Sequence, residues 1–122
     1  MIMLATRLFA LNDIRTVEVP IPRPAPGEVL VKVEACGICG TDRHLLHGTF
    51  PSKPPLTLGH EFSGIVVDVG AGVTLAAGTR VACDPNTWCG QCENCLRGRV
   101  NLCLNNVATG IHRRSEERRV GK

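Results

Sequence analysis

Glu28-Val29-Leu30-Val31-Lys32-Val33-Glu34-Ala35-Cys36-Gly37-Ile38-Cys39-Gly40-Thr41-Asp42-Arg43-His44, residues 28–44, passes from strand chemistry into metal chemistry with no linker between. Over 28–35 the residues alternate. Val29, Val31, Val33 and Ala35 fall on one side and Lys32 and Glu34 on the other, the period of two expected of a half-buried strand. Cys39, Thr41, Asp42 and His44 follow, and Gly59-His60-Glu61 lies a loop further on. A thiol, an imidazole and a carboxylate are thus separated by a segment that can fold them onto one ion. Zinc accepts all three ligand types, and a catalytic zinc keeps one position open for water or substrate.

Working outward, the same strand signal recurs. Leu4 to Ala10 and Arg15 to Val19 read as two short strands joined by a turn at Asn12 and Asp13. Pro20, Pro22, Pro24, Pro26 and Gly27 forbid regular structure between them and the strand at 28–35. Thr41 to His47 can form a short helical turn that Gly48 ends, and Pro51, Pro54 and Pro55 make the next stretch a loop. Phe62 to Val69 reads as a strand with Ile65, Val67 and Val69 on one face; Gly70, Gly72 and Gly78 mark turns before a strand at Arg80 to Ala82. The lobe 86–105 is too rich in Cys, Gly and Asn for a sheet, and Asn106 to Ile111 can return to strand. Short strands, little helix and frequent Gly and Pro predict a mainly β domain, a barrel or sandwich.

The composition narrows the function classes. The 122 residues have room for one domain, and a hydrophobic content of 43% is that of a globular chain. Three Phe, one Trp and no Tyr leave an aliphatic core and few rings on which nucleobases could stack. The net charge of +3 owes much to Arg113, Arg114, Arg118, Arg119 and Lys122 at the end, so no basic face for nucleic acid is implied. Met1 to Arg7 lacks the apolar region of a signal peptide, and no run has the length of a membrane span. Seven cysteines without a secretory context read as reduced, metal-binding thiols of a cytoplasmic protein.

Cys89, Cys92, Cys95 and Cys103 have the spacing C-x2-C-x2-C-x7-C. Four thiolates around tetrahedral zinc make a closed structural site, and the metal replaces the core that so polar a loop cannot build. Arg97 and Arg99 are the cations inside it, too few to grip nucleic-acid phosphates. Cys36 and Cys83, at strand ends, read as small buried side chains, and His47 and His112 as solvent- or loop-facing.

The chain resembles the N-terminal, GroES-like catalytic domain of zinc-dependent medium-chain alcohol dehydrogenases, and within them the sorbitol, polyol and threonine dehydrogenase branch. The motifs that carry the resemblance are 26–33 (Pro-Gly-Glu-Val-Leu-Val-Lys-Val), 36–42 (Cys-Gly-Ile-Cys-Gly-Thr-Asp), 59–61 (Gly-His-Glu), Gly64-Ile65-Val66 leading to Val69-Gly70, 78–81 (Gly-Thr-Arg-Val) and the four-cysteine lobe. One departure is Thr79, where the family often has Asp. The resemblance implies a partly open β-barrel with short helices and a zinc-binding loop lobe. It implies Cys39 and His60 as catalytic zinc ligands, with Glu61 a ligand or a nearby exchange ligand. Thr41 would pass the substrate proton, His44 would carry it to solvent, and Asp42 would steady the zinc histidine. The expected cofactors are Zn2+ at both sites and NAD or NADP; the expected partners are a small alcohol or polyol and, in a full-length protein, further copies of itself. The competing reading is a non-catalytic zinc-binding GroES-like interaction module.

The resemblance also sets domain expectations. Residues 1–113 are the catalytic domain, with the structural zinc lobe at 86–105. The nicotinamide-binding Rossmann domain is absent, since no Gly-x-Gly-x-x-Gly follows a strand here. Residues 114–122, Arg-Ser-Glu-Glu-Arg-Arg-Val-Gly-Lys, resemble a translated sequencing-library adapter and are expected to be a non-native tail.

Overall fold

The computed structural model describes residues 1–112; the expectation for the tail at 114–122 lies outside the described residues. Strands β1 (Ile2–Ala10) and β2 (Asp13–Pro20) form an antiparallel hairpin. Asn12 turns it with a positive φ of 57°, which Asn tolerates better than most side chains. The Asn12 N–H donates to the Leu46 carbonyl at 2.9 Å, docking the hairpin tip on helix α1 (Gly40–His47). Gly48, at φ 75°, ends that helix in the left-handed conformation that glycine adopts without strain.

Strand β3 (Val29–Gly37) pairs with β5 (Glu61–Val69), which pairs in turn with β6 (Arg80–Ala82). A short β4 (Leu56–Thr57), hidden in the proline-rich segment, adds to β1 opposite Leu8 and Arg7. The sheets run β2-β1-β4 and β3-β5-β6, unjoined at their edges, so the barrel is partly open. One core cluster holds Leu8, Leu45, Leu56, Ala108 and Ile111; a second holds Val29, Val31, Phe62 and Val66.

The buried face of β5 is the one that carries Phe62, not the one that carries Ile65, Val67 and Val69. Phe62, Gly64 and Val66 point inward, with Val66 fully buried, whereas Val67 is 47% exposed and Val69 also faces out. In β3 the inward set is Val29 and Val31, and Val33 and Ala35 are exposed. The register explains the break along β3. It shifts between Leu30 and Val31 and again between Val33 and Ala35, where Val33 pairs with Gly64 and Ala35 with Ser63. Each such bulge bends the strand and breaks a strict period of two. Cys36, beyond the second bulge, is therefore exposed rather than buried. Cys83 does pack against the second core cluster.

The cysteine lobe contains more regular structure than its composition indicated. Strand β7 (Asn86–Thr87) pairs antiparallel with β8 (Val107–Ala108), closing the lobe at its base. Between them lie a helical turn, α2 (Glu93–Leu96), and a 3-10 turn at Val100–Leu102. Only Val107 and Ala108 of the stretch 106–111 are strand.

Candidate metal centres

The first centre is assembled by β3, α1 and β5. Cys39 is the N-cap of α1, in extended conformation, and its N–H donates to Asp42 Oδ2 at 2.9 Å. The reciprocal placement of cap and N3 carboxylate is the geometry of a capping box, and it fixes Asp42 relative to Cys39. His60 and Glu61 lie where the chain enters β5, and Glu61 pairs across the sheet with Gly37. Cys39, His60 and Glu61 each offer a ligand atom within 4.8 Å of the others, with His60 buried, Cys39 half-buried and Glu61 exposed. This opens the centre on one side.

Behind His60 stands Asp42, whose Oδ1 is 3.5 Å from His60 Nδ1. Both atoms are buried, and neither makes a hydrogen bond among the described residues. A buried polar atom without a partner is costly, so a pair of them facing each other calls for an explanation. A metal on the other imidazole nitrogen supplies one, because Nδ1–H then points at the carboxylate and tightens onto it. The donor set and the two orphaned atoms together fit a zinc ion.

Backbone crowding shapes the same place. A Cβ on Gly37 would stand 3.1 Å from Glu61 Oε2, so a larger residue there would press on the carboxylate. Gly110, at φ 78°, brings its backbone against the Gly59 carbonyl so closely that a Cβ would collide with it. These contacts hold the turn before His60, and residue spacing alone carries no sign of them.

The relay residues divide. Thr41 Oγ1 lies 3.7 Å from Cys39 Sγ, accepting from the thiol. His44 is exposed, with Nδ1 2.9 Å from Thr49 Oγ1, and it is not drawn into the Cys39–His60–Glu61 group. His47 is exposed as well, and His112 Nδ1 accepts the Ala108 N–H at 2.9 Å.

In the second centre the sulfurs of Cys89, Cys92, Cys95 and Cys103 all lie within 4.8 Å of one another. Backbone N–H groups point at them: Cys92 N–H donates to Cys89 Sγ at 3.3 Å, and the N–H groups of Cys89 and Asn105 donate to Cys103 Sγ at 3.3 and 3.4 Å. Donors from Gln91 and Cys92 hold the Cys89 thiol down at about 6, and those from Cys95 and Leu104 lower Cys92. Cys95 is pushed the other way, up to about 12, by its loss of hydration. Donors favour the thiolate, and like charges crowding together oppose it. A divalent cation resolves that conflict for all four sulfurs.

Residues 25–120 match the alcohol dehydrogenase GroES-like domain, and the chain belongs to that family. It is 46% identical over 103 residues to the starvation-sensing protein RspB of Escherichia coli, covering 83% of this chain and 30% of that one. It is 46% identical over 100 residues to an L-threonine 3-dehydrogenase of Stenotrophomonas maltophilia, covering 78% of this chain and 29% of that one. Among solved structures, one described as a zinc-binding dehydrogenase from Sinorhizobium meliloti, bound to NADP, superposes with a TM-score of 0.91 at 59% identity. That match covers 93% of this chain and 34% of the other. The present chain thus spans about a third of the length of these relatives. Their resemblance establishes the mainly β, GroES-like architecture expected from the motifs, that of a medium-chain, zinc-type alcohol dehydrogenase domain.

Proposed function

We propose that this chain is the N-terminal catalytic-domain portion of a zinc-dependent, NAD(P)-linked alcohol or polyol dehydrogenase. The observation that carries the reading is the convergence of Cys39, His60 and Glu61 within 4.8 Å, with the Asp42 carboxylate behind His60. The three would hold the catalytic zinc, and Cys89, Cys92, Cys95 and Cys103 a structural one. Zinc when bound supplies a Lewis acid for an alcohol oxygen, and a nicotinamide supplies the hydride acceptor. Asp42 would set the His60 tautomer and raise its basicity. Thr41 Oγ1, beside the Cys39 sulfur, would take the proton leaving the substrate hydroxyl and pass it on. His44, at the exposed end of the same helix, would hand it to water through the Nδ1–Thr49 side of the loop.

Turnover would need the remaining two-thirds of a relative-sized protein, including a cofactor domain. Support comes from a largely apolar cleft of about 800 Å3, lined by Leu4 and Ile14 of one sheet and Val33 and Val67 of the other and reaching Asp42 and Gly59. So much uncovered apolar lining beside the first centre fits a domain whose surface is completed by more polypeptide. Residues 1–113 would form the domain and 114–122 an added tail, and a full-length protein would assemble as a homo-oligomer. Among the described residues no helix is long and apolar enough to cross a membrane. Thiols gathered as metal ligands, as Cys89, Cys92, Cys95 and Cys103 are, fit a reducing, cytoplasmic setting.

Metal analysis of the purified chain tests the reading. Two zinc ions per chain are expected, falling to one in Cys39→Ser. A single zinc that Cys39→Ser leaves in place would overturn it in favour of a non-catalytic module held by the cysteine lobe.

A further inference from the structure

We propose that Cys36 and Cys39 are an oxidation-sensitive pair that closes a disulfide across the loop 36–39 under hydrogen peroxide, withdrawing the Cys39 sulfur from the metal group. The withdrawal of metal rests on Cys39 being a zinc ligand, as proposed above; closure of the disulfide does not.

The placement of the two thiols carries the inference. Cys36 is exposed near the end of β3, Cys39 is half-buried at the start of α1, and only Gly37 and Ile38 separate them. Ile38 is 88% exposed, and closing the pair needs only the last residues of β3, where Cys36 pairs with Phe62 and Gly37 with Glu61, to part from β5. The C-x-x-C spacing between a strand and a helix N-terminus gives the shortest practical ring and a high local concentration of one thiol at the other. Cys36 also lies on the metal side of its strand, since a Cβ on Gly59 would be 3.0 Å from Cys36 Sγ. The thiol donates to the Gly37 carbonyl over a long 3.7 Å. The other cysteines are placed differently. Cys83 packs against the second core cluster, and the lobe sulfurs are gathered on one another.

The chemistry balances with peroxide as the oxidant. The exposed Cys36 sulfur attacks one peroxide oxygen, the O–O bond breaks, and the other oxygen leaves as water with the thiol proton, giving a sulfenic acid. The Cys39 sulfur then attacks Cys36, the S–O bond breaks and the S–S bond forms. The hydroxyl departs as water with the Cys39 proton, or with a solvent proton when the sulfur had held a metal. Two thiols lose two electrons and one peroxide becomes two waters. A thiol reductant reverses the closure.

Trypsin cuts after Lys32 and Arg43, so both cysteines fall on one peptide, 33–43, while Cys83, Cys89, Cys92 and Cys95 fall on another, 81–97. The 122-residue chain, metal-free and zinc-loaded, is treated with graded peroxide, denatured, alkylated with iodoacetamide and mapped. In the metal-free chain, peptide 33–43 is expected to appear two hydrogens lighter and closed to alkylation, and to reopen with dithiothreitol. In the zinc-loaded chain the same product is expected in step with release of one zinc, read by a chromogenic chelator. Cys36→Ser is expected to keep Cys39 alkylatable and to slow that release about tenfold or more, because the tethered partner is gone. The pair is refuted if Cys36 and Cys39 stay alkylatable in the wild-type chain while peptide 81–97 oxidises, a result that needs no variant to fold. Closure without zinc release, in a chain holding only lobe zinc, would leave the pair standing and defeat the zinc reading of Cys39.

Discussion

Asp42 Oδ1 faces His60 Nδ1 across 3.5 Å, and the two buried atoms have no hydrogen-bond partner among the described residues. That gap is too long for a good hydrogen bond and too well buried for water to relieve. Asp42 is tied to the cluster twice, through this contact and through the Cys39 N–H on its other oxygen. It therefore positions both a thiol and an imidazole. Asp42→Asn should weaken zinc at the first centre about 10–100-fold while leaving the lobe zinc unchanged. Zinc titration against a competing chelator would resolve the two classes of site, and equal weakening of both would contradict the assignment.

The inward face of β5 makes a second prediction. Val66→Ser places a hydroxyl in a fully buried site and removes methyl contacts, at a cost of about 2–4 kcal/mol. Val67→Ser, at a position 47% exposed, should stay within about 0.5 kcal/mol of the parent. Urea midpoints of the two variants provide the comparison, and a reversed order would mean the strand register is wrong.

Gly110 gives a third. Its positive φ and its contact with the Gly59 carbonyl both resist a side chain, whereas Gly72 has a similar φ of 80° and nothing within 4 Å. Gly72→Ala should cost about 1–2 kcal/mol, the penalty of the left-handed backbone alone. Gly110→Ala should cost more, and by displacing Gly59 it should also disturb His60. Thermal melts read the first effect and zinc affinity at the first centre the second.

The cysteine lobe should depend on pH in a definite direction. Cys89 is depressed from 9.0 to about 6, so in the metal-free chain it adds stability above pH 9 and loses it as pH falls from 9 through 6. Cys95 is raised from 9.0 to about 12, which removes stability as pH climbs from 9 towards 12. The metal-free lobe should accordingly be firmest near pH 9. Trp88, half-exposed beside Cys89 and the sole tryptophan, reports this by fluorescence. With zinc bound, the same signal should hold steady down to acid pH, where protons displace the metal from its thiolates.

Much of this protein is legible in its amino-acid sequence. Local spacing located β1, β2, β3, β5 and β6 but not the two-residue β4 and β7, because a period of two needs three or more residues to show. The Asn-Asp turn, the helix stop at Gly48 and the four-cysteine lobe were legible for the same reason, since each follows from residues close in the chain. The ligand types were readable too, because Cys39, His60 and Glu61 carry their chemistry wherever they are placed.

The tertiary structure decided what depends on distant partners. Bulges ended the alternation expected along β3, leaving Val33 and Cys36 outward, and strand pairing made the Phe62–Val66 face of β5 the buried one, because register belongs to a pair of strands and not to one. It set Asp42 against His60 and Gly110 against Gly59, contacts between segments far apart in sequence. It left His44 on Thr49, outside the ligand group. Residue chemistry is local and so is written in the chain; which residues meet, and which face water, is settled only when the sheets close on each other.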